Sequence, residues 1–309
     1  MSGNTDLATL YSAIEDSARL LDVDCARERV WPILSAYGDA IGNAVVAFRV
    51  ATGARHKNEL DCRFTTTAAV DPYALALSQG FTTPADHPVS DLLTDIAARC
   101  PVDSYGIDFG VVGGFKKIWV FFPPDDLQSV SKLADVPAMP RGLTENVGFF
   151  ARHGLDDRAN LVGIDYHHRT VNVYVGEPPA ECLAPAAVSS MLRDIGMPAP
   201  SEQLQRLAAR AFGVYATFSW DSAKIERLTF AVMTPDPATL PVSLEEKIER
   251  FVQSAPYSAA GSADLTDRKF VYAVSSAPEG EYYKLQSYYQ WRPRILNRMR
   301  LANTAAELV

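Results

Sequence analysis

No stretch of this sequence stays apolar over the roughly 20 residues that a membrane-spanning helix needs. The first residues, MSGNTDLATL, lack the basic region and apolar run of a secretory signal. A basic excess is missing too, since the net charge is -8 and the pI is about 5.2. Nucleic acids and anionic membrane surfaces both attract basic proteins. We therefore expect a cytoplasmic protein that binds neither nucleic acid nor membrane. We also expect it to be a monomer.

Cysteine is scarce, and its four occurrences show no CxxC spacing, which disfavours a zinc site or a disulfide framework. We interpret them as reduced thiols: Cys25, Cys62, Cys100 and Cys182. Low-complexity linkers are missing as well. The 309 residues, 48% of them hydrophobic, are therefore expected to form one domain, residues 1–309.

Strand-like segments are abundant and come in pairs separated by turn residues. The pairs are AVVAFRV with ELDCRFTTT, SYGIDFGV with FKKIWVFF, LVGIDYHH with RTVNVYVG, FGVYATFSW with KIERLTFAVM, and KFVYAVSSA with EYYKLQSYYQ. Their turns lie near Gly53, Gly113, His168, Ser222 and Glu279, a spacing of roughly 54 to 60 residues. This period indicates five similar structural units.

Segments with helical periodicity separate the hairpins. They are DLATLYSAIEDSARLL, ARERVWPILSAYG, DPYALALSQG, VSDLLTDIAARC, TENVGFFARHG, APAAVSSMLRDIG, SEQLQRLAARA, LEEKIERFVQSA and RILNRMRLANTAAEL. The predicted unit is helix, strand, strand, helix, repeated five times. The fold class is therefore α+β, with ten antiparallel strands and a set of helices.

Alternation within the strands predicts how these layers pack. In GFKKIWVFFP, Ile118 and Val120 share one face, whereas Lys117, Trp119 and Phe121 share the other. The oily face is the one that helices cover. Ten strands remove their edges most simply by closing into a barrel, which places the mixed polar face inside. A barrel of this size is too wide for side chains to fill, so its lumen is predicted to bind a ligand.

The predicted lumen is rich in cations. Five of them face inward: Arg49, Arg63, Lys117, Arg227 and Lys284. Only three aspartates do so, Asp61, Asp108 and Asp165. Because burying like charges together is costly, an anionic ligand is expected, and a diphosphate suits the cations, amide and tyrosine hydroxyls. Nearby π faces would bind apolar groups and carbocations: Trp119, Phe121, Tyr174 and Tyr288.

These residues carry a family resemblance. NELD, GGFKK, DY..R.VN.Y, VY.T..W...KI.RL.FAV and EYYKL..YY match, in order and spacing, the naphterpin-type enzymes. The chain is thus similar to bacterial ABBA-fold aromatic prenyltransferases of the naphterpin and clorobiocin type, from its first helix through Tyr289. The resemblance implies a ten-stranded antiparallel barrel ringed by helices, the PT-barrel. It also implies two small-molecule partners, a prenyl diphosphate (dimethylallyl or geranyl) and an aromatic acceptor.

The resemblance assigns roles position by position. Together with the fixed charges of the lumen, the expected diphosphate ligands are Arg49, Arg63, Lys117, Thr170, Asn172, Tyr215, Arg227, Tyr282 and Lys284. The expected acceptor and prenyl contacts are Trp119, Phe121, Leu161, Tyr174, Phe212, Gly213, Ala231, Gln286 and Tyr288. Lys117, Trp119 and Tyr288 are expected to act at the reacting atoms.

The implied chemistry is electrophilic aromatic substitution. The allylic C–O bond ionises as cations stabilise the leaving diphosphate, aromatic walls stabilise the carbocation, and an electron-rich arene attacks. Trp119, Gly213 and Gln286 replace the tyrosine, serine and glycine of the naphterpin type. The identity of the acceptor therefore does not carry over, and hydroxynaphthalenes, phenolic acids and phenazines remain alternatives.

Asp61 matches the magnesium ligand of the family, whereas Arg49 and Arg63 replace small polar residues. Arg63 shares a strand face with Asp61, so we expect the two to pair and fixed charge to replace the metal. No cofactor is then required, and Mg²⁺, if used, binds at Asp61.

Two other functions fit parts of the pattern. One is a non-catalytic binding protein for a phosphorylated or prenyl diphosphate ligand, and the other is a terpene cyclase, although the sequence has no DDxxD motif. His167 and His168 are interpreted as turn residues rather than a metal pair. Trp220 and Trp291 are interpreted as packing residues. Asp108 and Asp165 are either hydrogen-bonding groups of the lumen or supports of the barrel.

Overall fold

The structure, a computed structural model, describes residues 6–42, 44–257 and 268–290. Its helices are α1 (Leu7–Leu20), α2 (Arg27–Ala36), α3 (Gly38–Ile41), α4 (Pro72–Ser78), α5 (Leu92–Arg99), α6 (Val130–Ala134), α7 (Arg141–Glu145), α8 (Val147–Arg152), α9 (Pro185–Asp194), α10 (Glu202–Ala208) and α11 (Glu246–Ser254). Its strands are β1 (Val46–Ala51), β2 (Asp61–Thr67), β3 (Ser104–Gly110), β4 (Gly114–Phe121), β5 (Ala159–Asp165), β6 (Thr170–Gly176), β7 (Gly213–Ser219), β8 (Arg227–Thr234), β9 (Phe270–Ala277) and β10 (Gly280–Gln290).

Local sequence signals explain where several helices begin. The Asp6 side chain accepts hydrogen bonds from the backbone N–H groups of Ala8 and Thr9, which caps α1. Asp71 caps α4 in the same way. The sequence did not predict α6, which is only five residues long and begins at the cap Ser129. The helix predicted in RILNRMRLANTAAEL and the predicted role of Trp291 lie outside the described residues.

The ten strands form one closed barrel in which each strand pairs with its neighbours in sequence, and β1 closes the ring by pairing with β10. All of these pairings are antiparallel. Closure leaves none of the ten strands with an unpaired edge. The predicted architecture, a barrel of five hairpins surrounded by helices, is confirmed.

The hydrophobic core lies between the barrel and its helices. The outward side chains of Ile118 and Val120 on β4 are completely buried, as are Val171 and Val173 on β6. Leu10 and Ile14 of α1 belong to the same core cluster. The alternation in the strands therefore predicted correctly which face the helices cover.

The two ends of the barrel differ. The strands of each hairpin are joined by short turns at one end, which we call the hairpin end, whereas the helical segments connect the hairpins at the opposite end. A barrel with this connectivity brings all five turns together although they are far apart in sequence.

One irregularity in the β3–β4 hairpin affects the lumen. Asp108 pairs with Lys117 but the next residue, Phe109, pairs with Phe115, so Lys116 is an extra residue in a β-bulge. Gly114 in this turn has a φ of 73°, a left-handed conformation that glycine adopts without strain. The bulge lets Lys116 and Lys117 both reach the lumen.

Candidate active site

A cavity of about 370 Å³ occupies the hairpin end of the lumen, and we call it the hairpin-end cavity. All five hairpins contribute to it. It is lined by Arg49, Ala51, His56, Glu59, Asp61, Lys116, Lys117, Asp165, His168, Thr170, Asn172, Tyr174, Tyr215, Ser219, Asp221, Ser222, Glu226, Arg227, Tyr282 and Lys284. Eight of the nine residues predicted to bind diphosphate are in this lining, and the ninth, Arg63, is not.

Two cations of the cavity are not neutralised. Within the described part of the chain, neither Arg227 nor Lys284 forms an ion pair. Lys284 Nζ donates instead to the Tyr215 hydroxyl at 3.3 Å. Burial lowers the pKa of Lys284 to about 8, Tyr215 opposes this shift, and the charges of Arg227 and Arg49 add to it. An anion placed between these groups would relieve the repulsion.

The buried acidic residues of the lining pair with cations other than Arg227 and Lys284. Burial lowers the pKa of Lys117, and Asp165 opposes the shift from 3.4 Å. Asp165 also accepts from the backbone N–H of His168 at 2.8 Å. Its pKa is lowered, because Lys117 and His168 outweigh the opposing effect of burial. Asp221 is exposed at the rim. Asp108 and Asp165, left undecided from the sequence, are thus both ion-pair partners in the lumen.

Hydroxyl and amide groups complete the polar wall. The buried Thr217 hydroxyl donates to Asn172 Oδ1 at 2.6 Å and accepts from Arg227 Nε at 3.2 Å. This chain fixes the Asn172 side chain and leaves its Nδ2 donor for a ligand. The buried hydroxyls of Thr170 and Ser219 have no hydrogen-bond partner in the described structure. Buried hydroxyls normally have one, so the cavity offers these two to a polar ligand as well.

Asp61 has different partners from those predicted. Lys116 Nζ donates to its Oδ1 at 2.8 Å, and Arg49 donates to its Oδ2. Burial would raise the pKa of Asp61, but the two cations lower it to about 2. The expected pair with Arg63 is wrong, because Arg63 binds Asp108 through Nε at 2.6 Å and Nη2 at 3.0 Å.

This geometry does not fit a metal site at Asp61. Both carboxylate oxygens already accept from cations, and a cation repels Mg²⁺ from the same position. His168 likewise pairs with Asp165 and not with a metal ligand set.

Aromatic rings form the inner wall of the cavity. Tyr174 and Tyr215 stack with centroids 4.2 Å apart, and Trp119 lies 4.9 Å from Tyr174. Trp119 fits because both of its cross-strand neighbours, Gly106 and Gly163, lack side chains. A Cβ atom at Gly163 would lie 3.2 Å from the indole ring.

The remaining residues predicted to contact the acceptor lie beyond these rings, toward the end of the barrel opposite the hairpins. Ala231, Tyr215 and Ala273 form a small buried cluster against which Phe212 packs. Tyr288 forms another with Ala47. The positions on this side are Phe121, Leu161, Phe212, Gly213, Ala231, Gln286 and Tyr288. The structure therefore separates most of the predicted diphosphate and acceptor groups along the barrel axis, except that Tyr174 lines the hairpin-end cavity and Arg63 does not. Their roles stay predictions.

Sequence reasoning missed several residues of the site. Lys116 was not among the predicted residues, because strict alternation, which places Lys117 inside, cannot anticipate a bulge. Thr217 follows the inward parity of β7 but was not singled out. The other missed lining residues are close to the turns: Ala51, His56, Glu59, His168, Ser219, Asp221, Ser222 and Glu226. Trp220 packs as expected, with its Nε1 donating to the Ala138 carbonyl at 3.0 Å.

Comparison with known proteins identifies the family. A sequence model of the family described as aromatic prenyltransferase Orf2 matches residues 5–299. The chain belongs to this family of aromatic prenyltransferases. Membership confirms the resemblance inferred from the motifs and makes the protein an enzyme of the transferase class, which disfavours the non-catalytic binding protein.

Similar proteins come from Streptomyces. The chain is 53% identical to a flaviolin linalyltransferase of Streptomyces virginiae, over 94% of this chain and 95% of the relative. It is 48% identical to a 5,10-dihydrophenazine-1-carboxylate 9-dimethylallyltransferase of Streptomyces anulatus, over 96% of this chain and 97% of the relative. It is also 48% identical to a furaquinocin biosynthesis prenyltransferase of Streptomyces sp. strain KO-3988, over 97% of this chain and 95% of the relative. These relatives are aromatic prenyltransferases of secondary metabolism.

Solved structures support the fold. A 6-dimethylallyl tryptophan synthase superposes with a TM-score of 0.53 at 12% identity, over 93% of this chain and 96% of its own. Apo prenyltransferase PriB superposes with a TM-score of 0.52 at 15% identity, over 95% of this chain and 99% of its own. Among the described residues, every helix is too short or too polar to cross a bilayer.

Proposed function

We propose that this enzyme transfers a dimethylallyl or geranyl group from an allylic diphosphate to an electron-rich aromatic acceptor by electrophilic aromatic substitution. The observation that carries the proposal is the pair of unneutralised cations, Arg227 and Lys284, in a buried cavity that ends at an aromatic wall. The diphosphate would occupy the hairpin-end cavity, and the prenyl chain would extend past Tyr174 and Tyr215 toward the acceptor. Linalyl and dimethylallyl transfer by the named relatives support donors of these sizes.

Ionisation of the donor is the demanding step. As the C–O bond breaks, negative charge grows on the diphosphate, and donors already in place stabilise it without reorganisation. Arg227, Lys284 and Lys117 would supply the charge, and the Nδ2 group of Asn172 a neutral hydrogen bond. The bond from Thr217 keeps that amide oriented, so Thr217 is a positioning residue.

The allylic cation formed in this step needs a water-free, electron-rich surrounding. The faces of Trp119, Tyr174, Tyr215 and Tyr288 would provide it, because aromatic rings stabilise cations and exclude water. All except Tyr174 are less than a tenth exposed. The ring carbon of the acceptor then attacks, and loss of its proton restores aromaticity. Water or a tyrosine hydroxyl accepts that proton, so no strong base is required.

We propose that the reaction needs no metal. A magnesium ion in related chemistry neutralises the donor diphosphate, and here Arg49 and Lys116 place fixed positive charge at Asp61. These cations would leave Asp61 with no excess negative charge toward the donor. Arg63 contributes to a different part of the lumen.

The experiment is to incubate the protein with dimethylallyl or geranyl diphosphate and a panel of hydroxynaphthalenes, phenolic acids and dihydrophenazines, and to look for prenylated products by mass spectrometry. Arg227→Ala and Lys284→Ala should each lower turnover about ten- to a hundredfold, because charge-assisted contacts to a leaving group are worth about 1.5–3 kcal/mol. Lys224→Ala, an exposed cation outside the lining, is the matched control and should leave turnover unchanged. Absence of any prenylated product, or normal kinetics in both cavity variants, would contradict the proposal.

A further inference from the structure

Arg63 is a lumenal cation that the hairpin-end cavity does not use. Its side chain is 18% exposed, and its Nε and Nη2 atoms donate to the carboxylate of Asp108. The Asp108 side chain is only 2% exposed. A guanidinium has five N–H groups in a planar fork. This side-on pairing occupies two of them, which leaves the N–H groups of the outer edge available for a second anion.

The indole of Trp119 lies directly beneath this guanidinium. The Arg63 Cζ atom is 3.7 Å from the ring centroid, so the two groups stack. Trp119 is 3% exposed, and its Nε1–H has no hydrogen-bond partner in the described structure. A buried indole N–H normally donates to an acceptor. Two groups in stacking contact therefore both carry donors for which the described structure shows no acceptor.

These donors lie on the acceptor side of the lumen. Ala47 of β1 pairs with both Arg63 and Tyr288, so the three residues share one row of the barrel wall. Burial raises the pKa of Tyr288 to about 12, and the positive charge of Arg63 opposes the rise. Phe121 and Gln286 face inward at the same end and are only half-buried, so a ligand can reach them.

We propose that Arg63 and the Nε1–H of Trp119 recognise an oxygen anion on the aromatic acceptor, either a carboxylate or an ionised hydroxyl. The inference rests on the proposed prenyl transfer and adds to it a selectivity for acidic acceptors. Arg63 would bind the anion with its outer edge while Asp108 holds its inner edge. The acceptor would then present its reacting carbon to the prenyl cation at the hairpin side of Trp119. An ionised hydroxyl would also enrich the ring in electrons.

The test compares the binding of an aromatic acid with that of its uncharged analogue. Binding of a dihydroxynaphthoate and of its methyl ester is measured by calorimetry in the presence of geranyl thiolodiphosphate, an unreactive donor analogue. A dihydroxynaphthalene and its dimethyl ether, which has no ionisable hydroxyl, form a second pair that separates carboxylate from ionised hydroxyl. The variants are Arg63→Met/Asp108→Asn, which removes the cation without stranding its buried partner, and Asp108→Asn alone, which keeps the cation. Trp119→Phe removes the Nε1–H and keeps an aromatic ring.

The wild type should bind at least one acid about tenfold or more tightly than its uncharged analogue, because a charge-assisted hydrogen bond contributes that much. The double variant should lose this preference while binding the ester and the donor analogue as before. Asp108→Asn should keep the preference, and Trp119→Phe should reduce it. Retention of the preference in the double variant would overturn the proposal. Weaker binding of the donor analogue by that variant would also overturn it, because Arg63 would then be a diphosphate ligand. Failure of the wild type to bind the donor analogue at all would contradict the proposed function instead.

Discussion

Lys284 shows what a single residue contributes. Its amine is buried beside Arg227 and Arg49, and its hydrogen-bond partner is the neutral Tyr215 hydroxyl. Burial without a neighbouring anion disfavours the charged ammonium form. The pKa of Lys284 is therefore lowered to about 8. A bound diphosphate would favour the charged form and raise this pKa again.

Donor affinity should therefore depend on pH. Only protonated Lys284 presents a charge to the diphosphate, so affinity should be greatest below pH 8 and fall above it, by up to about tenfold per pH unit for one linked proton. Lys117, whose pKa burial also lowers, adds to the fall. The measurement is the dissociation constant of geranyl thiolodiphosphate from pH 7 to 9.5.

Lys284→Arg is the matched control, because a guanidinium stays charged over this range. This variant should retain only the weaker dependence due to Lys117. An unchanged pH dependence in Lys284→Arg would show that Lys284 does not contact the donor.

At this scale the sequence predicted which side chains face the lumen but not which of them pair. Arg63 and Asp61 lie two residues apart on β2, about 7 Å between Cα atoms. Directly opposite residues on neighbouring strands are closer, at about 4.5–5.5 Å. Register places Asp108 opposite Arg63, and Arg49 opposite Asp61. Arg63 and Asp61 therefore each pair with a residue on a neighbouring strand and not with each other. The register between strands decides this pairing, and the sequence of one strand does not reveal it.

The β3–β4 hairpin shows how an element changes the site. Its bulge adds one residue on β4, so that Lys116 reaches Asp61 while Lys117 reaches Asp165. Alternation alone predicted a single inward lysine. A bulge depends on how the strand must bend to fit its neighbours, which composition does not reveal.

This arrangement makes a prediction about metal. The wild type should keep its activity in EDTA, because Arg49 and Lys116 already neutralise Asp61. Lys116→Met should lower activity severalfold in EDTA, since part of the carboxylate charge then repels the donor. Added Mg²⁺ should restore much of it. Initial rates of prenylated product at saturating acceptor, with and without an excess of chelator, give the readout.

Lys224→Met, an exposed cation on the β7–β8 turn, serves as the control and should respond to neither EDTA nor Mg²⁺. Complete loss of wild-type activity in EDTA with recovery in Mg²⁺ would refute the claim that fixed cations replace the metal.

On the scale of the whole molecule, the five hairpins and the helices around them follow from the repeat of roughly 54 to 60 residues in the sequence. The closed barrel follows as well, because ten strands with one oily face need both a helical cover and a way to remove their edges. The stagger of the strands and the position of the cavity did not follow from it. The cavity depends on five turns that are distant in sequence and meet only once the ring has closed.

An anion bound to the cations of the hairpin-end cavity should raise the free energy of unfolding of the protein. A ligand at 100 times its dissociation constant stabilises the folded state by about 2.7 kcal/mol, which corresponds to a rise in Tm of about 4 °C for a chain of this length. Inorganic diphosphate should produce such a shift in the wild type. Arg227→Met/Lys284→Met should show almost none, and its ligand-free Tm should not fall below that of the wild type because two half-buried cations without an ion pair are gone. Equal shifts in both proteins would place the anion elsewhere.

The most direct test of a lumen that holds a donor at its hairpin end and an acceptor at the other is the release of diphosphate measured with and without the acceptor. Enzymatic detection of diphosphate and mass spectrometry of the product should be run on the same reaction with geranyl or dimethylallyl diphosphate. The account predicts one diphosphate for each prenylated acceptor and only background release when the acceptor is left out. Equal release without any acceptor would indicate a hydrolase or cyclase, and binding without release would indicate a carrier, so that either result would contradict it.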